Sequence, residues 1–161
     1  MALTLENSSK VWLKVDAYFS SHDGGSASPI HTAAFTGLKN NLLTRGLTQL
    51  QFVPFSQADI VTNLGYSPLD VPAKVYGVYA KNPGNSGGTD SYITLHNAAN
   101  NASVPFITGL IQVADDEFSY VNGRGIDFTT DVTVSGATTS GGATESTAAD
   151  SADGFVIVGA A

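Results

Sequence analysis

Between Lys10 and Phe19 apolar and polar side chains alternate. Val11, Leu13, Val15, Ala17 and Phe19 fall on one side of an extended chain, and Trp12, Lys14, Asp16 and Tyr18 on the other. The pattern predicts a strand with one buried face. It leaves Trp12 opposite that face, where a second sheet or a partner must cover it. The following run, from His22 to Pro29, contains turn formers and nothing apolar larger than Ala, and reads as a loop. From Thr32 to Arg45 the period changes to helical: Phe35, Leu38 and Leu42 recur three or four apart, and Gly46 stands at the C′ position. Gln49 to Phe55 reads as a short strand stopped by Pro54. Ser56-Gln-Ala-Asp59 caps one or two helical turns closing at Gly65.

From about Tyr66 the texture is short β-type runs between Gly, Asn, Pro and Ser. The expected strands are Ala73 to Asn82, Ser91 to Asn97, Val104 to Val113, Glu117 to Val121, Asp131 to Val134 and Gly154 to Val158. Asn122-Gly123 is a preferred hairpin or tight-turn pair, and Asn82 to Gly88 is a long polar loop. Between Ser135 and Ala152 the chain holds only Gly, Ala, Thr, Ser and acids, too little to anchor a core. That stretch reads as an exposed loop or a strand pairing through its backbone, with Phe155 to Val158 as the closing core strand. With no helices between them, these strands should pair antiparallel. The expected fold is mainly β: an antiparallel, jelly-roll-like β-sandwich over residues 71–161, preceded by a mixed segment over 1–70 with a strand and one short helix.

Composition narrows the function. Charged residues are 13% of the 161 positions, against about 25% in ordinary globular chains, so Ser, Thr, Asn and Gly cover the surface. The net charge is −7. Six of the seven basic residues, Lys10 to Lys81, precede residue 82, and Arg124 alone follows. An acidic C-terminal half has no means of neutralising phosphates, which argues against nucleic-acid binding. The chain has no cysteine, which excludes disulfides, thiolate nucleophiles and cysteine metal sites. Met1 to Glu6 lacks the basic and apolar regions of a secretory signal. No apolar run approaches the roughly 20 residues that cross a bilayer, so no membrane partner is expected.

Chemistry-bearing residues are dispersed. His22, His31 and His96 have no metal-ligand spacing, and each reads as a surface or core histidine. Asp115-Asp116-Glu117 reads as a solvated turn rather than a calcium site, because adjacent carboxylates rarely converge on one ion; Asp127 and Asp131 could join such a site. There is no Gly-x-Ser-x-Gly elbow. A glycosidase pair would have to come from Glu6, Glu117, Glu145 and the aspartates. Gly84, Gly87 and Gly88 have neither the Lys-Ser/Thr sequel nor the helix of a phosphate cradle. No catalytic residue, cofactor or metal is expected, and the chain reads as a non-enzyme. Tyr76, Tyr79 and Tyr92 could stack sugars, though strand aromatics usually pack within sheets. Trp12 and Tyr18 are the candidate interface residues.

Three segments, taken in order, carry a resemblance. They are Lys74-Val-Tyr-Gly-Val-Tyr-Ala80 with its Asn/Gly loop, Ser91-Tyr-Ile-Thr-Leu-His-Asn97, and Gly125-Ile-Asp-Phe-Thr-Thr-Asp-Val-Thr-Val134. Thr138 to Ala149 and Asp153 to Val158 complete the pattern. It resembles the small virion proteins of tailed phages that carry head-decoration or cement β-sandwiches. It departs from them at Asp131, where the pattern has glycine, and covers about residues 70–161. The resemblance implies a virion protein on the capsid surface. Its partners would be the major capsid protein and further copies of itself, such as a trimer, with the N-terminal arm adding to a neighbouring sheet edge. A carbohydrate-binding fibre or adhesin module and a tail or neck component are the alternatives.

Overall fold

The computed structural model describes residues 3–21, 27–61, 66–70, 72–83, 91–111, 115–145 and 151–161. Strand β1 is Glu6–Asn7, followed by helices α1 (Ser8–Ser21) and α2 (Pro29–Thr44), strand β2 (Gln49–Phe55) and the single-turn helix α3 (Gln57–Ile60). Seven strands follow: β3 (Tyr66–Asp70), β4 (Ala73–Lys81), β5 (Tyr92–His96), β6 (Ile107–Leu110), β7 (Glu117–Phe128), β8 (Asp131–Ala137) and β9 (Asp153–Ala160). They form two antiparallel sheets, ordered β1-β2-β9-β4-β7 and β3-β8-β5-β6. The chain is therefore mainly β and sandwich-like, with α1 and α2 as a third layer on the outer face of the five-stranded sheet.

The predicted strand from Lys10 to Phe19 is instead the body of α1. Its buried residues are Val11, Trp12, Val15 and Phe19, a helical stripe, whereas Leu13 is 68% exposed and Ala17 also faces solvent. Alternation and helical period coincide at 11, 15 and 19, and Trp12 breaks the tie in favour of a helix. Asn7 starts that helix, its Oδ1 accepting the Ser9 N–H at 2.9 Å. The N-terminal segment thus holds two long helices rather than one short one. It is also woven into the sandwich: β2 lies beside β9, and β3 beside β8.

Helix α2 ends as its sequence predicts, with Gly46 at φ +76° and the Leu47 N–H reaching the Leu42 carbonyl at 2.9 Å. Pro54 does not stop β2, which pairs through Phe55; β1 reaches only Gln49 and Leu50, so at Pro54 that side of the strand is an edge and needs no N–H. The Ser56–Asp59 capping box forms, while the predicted close at Gly65 lies outside the described residues. Strand β3 was not expected, and β6 is shorter than predicted. Asn122-Gly123 does not turn a hairpin. Strand β7 runs on to Phe128 and bulges there, since Gly77 pairs Val121 and Val75 pairs Ile126. The loop from Asn82 lies largely outside the described residues, as do His22 and Asp23.

Strand β9 is central and shows how the layers divide. Val156 and Val158 face the second sheet with Val53, Val75, Val78, Leu69, Ile93, Leu95 and Val134. Phe155 and Ile157 face the helices with Trp12, Phe19, Phe35, Leu42 and Tyr79. A run of four apolar residues is what a strand buried on both faces requires.

Candidate functional site

Three arrangements could carry function. The first joins α2 to β7. Glu117 and Ser119 alternate onto the face of β7 that meets α2, and Tyr79 of β4 points the same way. The Glu117 carboxylate accepts the Ser28 N–H at 3.0 Å, the Ser28 hydroxyl at 2.5 Å and the Tyr79 hydroxyl at 2.8 Å. Burial pushes the Glu117 pKa up, but the Ser28 and Tyr79 bonds outweigh it and hold the carboxyl below its ordinary value. Burial, reinforced by the bond to Glu117, pushes the Tyr79 hydroxyl well above the usual tyrosine range. His31 Nδ1 lies 2.7 Å from Ser119 Oγ, and its Nε2 lies 3.9 Å from Glu117.

Serine, histidine and glutamate are the residue types of a nucleophilic triad. Here the carboxylate is beyond hydrogen-bond distance of the ring and is already held by Ser28 and Tyr79. The group acts as a trans cap: a negative charge at the N-terminus of α2, fixing that helix to the sheet. Sequence reasoning placed Glu117 in a solvated turn. Asp115 and Asp116 do lead into the strand, with Asp115 at φ +66°, and Glu117 opens β7 as the expected strand Glu117 to Val121 has it, but its side chain is 8% exposed rather than solvated.

The second arrangement covers the outer face of the four-stranded sheet. His96 is fully buried, with Nδ1 2.8 Å from the Ser103 carbonyl and Nε2 2.8 Å from Thr94 Oγ1. Burial lowers its pKa, and the Ser103 bond opposes only part of that shift. Asn101 donates to Ser135 and Glu145 at 3.3 and 3.1 Å, and Thr133 donates to the Ala98 carbonyl at 2.5 Å. Among the described residues, no group of three or more His, Asp or Glu side chains gathers as a metal site.

The third is apolar surface. Trp12, expected to be covered by a second sheet or a partner, is instead 3% exposed inside the helix layer, and Tyr18 is half-buried with its ring 5.0 Å from Phe155. Tyr76 and Tyr79 are buried too, so neither presents a face to a sugar. What α1 and α2 do expose is Ile30, at the start of α2, and Leu13 and Leu43, which flank a hollow of about 300 Å³ floored by Trp12. A larger apolar group lies on β6 and the chain leading into it, where Val104 is 84% exposed, Phe106 51% and Leu110 45%. Strand β6 is the edge of its sheet, and no described strand pairs with its outer side. The signal was visible in the sequence: positions 104, 106 and 110 share one parity, and all three are apolar where a solvent-facing row is normally polar.

Comparison of the chain with protein-family models, with curated proteins and with solved structures gave no match.

Proposed function

We propose that this chain is a non-enzymatic structural protein that works by contact, binding an assembled phage capsid and decorating or stabilising its shell. The observation that carries the reading is the exposed apolar group of Val104, Phe106 and Leu110 on the edge strand β6 and the segment leading into it. Edge strands are ordinarily guarded by charge, proline or a covering loop, because an open edge invites another strand. β6 itself, Ile107-Thr-Gly-Leu110, contains neither charge nor proline. An apolar edge of this kind supports a surface made to be covered by another protein. Phage particles enter through the resemblance of residues 70–161 to head-decoration modules. Many equivalent copies on a symmetric shell would let a small edge contact hold firmly through avidity.

The test mixes purified protein with capsids lacking it and measures co-sedimentation and the heat resistance of the shell. Binding at fixed copy number with a raised disruption temperature is expected. Val104→Lys with Leu110→Lys should abolish binding while shifting the monomer's unfolding midpoint only slightly, since Val104 is mostly in solvent and Leu110 about half so. Failure to bind capsids, or binding indifferent to the two lysines, would reject the reading.

A further inference from the structure

The fold brings both arginines of the chain to one cleft. Arg45 closes α2, and Asn41 lies one turn earlier on the same face. Arg124 and Asn122 sit in the excursion of β7 between Val121 and Ile126. With Gly123 they line a cleft of about 660 Å³, and none of the described residues lining it is acidic.

The cleft is built rather than accidental. Asn122 Oδ1 accepts the Arg124 N–H at 2.9 Å and its Nδ2 donates to the Tyr120 hydroxyl at 3.2 Å, so this amide is occupied in holding the excursion. Gly123 is pressed against the Asn41 amide so closely that a Cβ would collide with it. A side chain at position 123 would therefore have to push the Asn41 amide aside. The last carbonyls of α2 are met by the backbone N–H groups of Arg45, Gly46 and Leu47, which leaves the Arg45 guanidinium unengaged by the helix end.

Among the described residues, neither guanidinium has a carboxylate at ion-pair distance, and the Asn41 amide has no hydrogen-bond partner. The Asp127 carboxylate is taken up by Lys74, which it holds at 2.7 Å and which lies within the field of Arg45. Among the described residues, two cations thus stay without an ion pair in a protein of net charge −7.

We propose that this cleft binds the carboxylate side chains of an acidic polypeptide segment. A guanidinium presents a planar fork that pairs with a carboxylate through two parallel hydrogen bonds. One fork on each wall of an open cleft suits two acidic groups carried on one chain better than a single compact ion. Both arginines are exposed, so the contact is weak and sensitive to salt.

Two arginines give two Nε–H signals in a nitrogen–proton correlation spectrum, which makes the test direct. The full chain is titrated with an acetylated, amidated tetraglutamate peptide and, separately, with inorganic phosphate. Both Nε–H signals should move together with the peptide and saturate in about the millimolar range, with affinity falling about tenfold between roughly 20 and 200 mM salt. Arg45→Gln or Arg124→Gln should each weaken binding several-fold, and the double variant should abolish it with an unchanged unfolding midpoint. The proposal fails if neither signal moves, if the peptide binds the double variant equally well, or if phosphate moves both signals at lower concentration than the peptide. The last result would assign the cleft to a small inorganic oxyanion.

Discussion

Each sheet of the sandwich is covered on its outer face, the four-stranded one as far as β5 with β6 left partly open, and the two covers are made in opposite ways. Over the five-stranded sheet lie α1 and α2, joined to it by Trp12, Phe19, Phe35, Leu42, Tyr79 and Phe155. Over the four-stranded sheet lie the loops around residues 97–103 and 138–145, joined to it by His96, Thr94, Asn101, Thr133 and Ser135. The first contact excludes water from hydrocarbon, is non-directional, and scales with area. The second has to satisfy every donor and acceptor it buries, and loses most when one is left alone. One domain thus carries an oily cover and a hydrogen-bonded cover, which should fail under different insults.

The largest expected effect is in the oily cover. The Phe155 ring is fully buried, with the rings of Tyr18, Phe19, Phe35, Phe52 and Tyr79 all within 5.7 Å of it, centroid to centroid. Phe155→Ala should cost about 3–5 kcal/mol by denaturant unfolding, because β9 is central and cannot collapse into the space. In the polar cover, Asn101→Ala strands Ser135 and Glu145 and should cost less, about 1–3 kcal/mol. If Asn101→Ala matched Phe155→Ala, the loops would be as integral as the helices and the distinction between the covers would collapse.

That difference also decides what could be read along the chain. The sandwich strands Ala73–Lys81, Tyr92–His96 and Asp153–Ala160 announce themselves by β-branched and aromatic runs between turn residues, as does α2 by Phe35, Leu38 and Leu42. Helix α1 was hidden because Val11, Val15 and Phe19 satisfy both periods, and the tie is broken only by Trp12 pointing inward and Leu13 outward. The bulge in β7 was hidden because Asn122-Gly123 suits a hairpin equally well; the choice falls to long-range pairing with Gly77. The polar cover was nearly illegible. Ser, Thr and Asn in loops look solvated, and nothing local tells that Thr133 and Ser135 are buried beneath residues 98 and 101. The cleft of Arg45 and Arg124 depends on the same bulge and could not be seen before the fold was known.

The covers should also separate by pH. His96 is neutral and buried, with a pKa below its unfolded value of about 6.5. As pH falls past that value the unfolded chain takes up the proton first, so the stability that depends on neutral His96 is present above it and drains away below it. Glu117 has the opposite character: its carboxyl is depressed in the folded state, so its contribution is intact above the ordinary glutamate value and is lost only as pH falls through the lower folded value. Between about pH 6.5 and pH 4.5 the polar cover should weaken while the Glu117 tie to α2 holds. Trp12 is the sole tryptophan and lies in the helix layer, so its fluorescence should stay constant across that window while residues 97–103 lose amide-exchange protection relative to the intrinsic rate at each pH. Simultaneous change in both signals would mean that the two covers unfold as one unit.

The smallest effect tests the helix layer itself. Were residues 10–19 a strand, Leu13 and Val15 would share the buried face and both would be costly to truncate. On α1 they do not share it: Val15 is 2% exposed and Leu13 68%. Leu13→Ala replaces one good helix former with another at a solvent position and should change stability by no more than about 0.5 kcal/mol. Val15→Ala, which opens space beneath the helix, should cost clearly more, about 1–3 kcal/mol. Equal losses at the two positions would return this segment to the sheet and remove the oily cover. A Leu13 that is silent in stability yet required for capsid binding would add the exposed flank of α1 to the contact surface begun at β6.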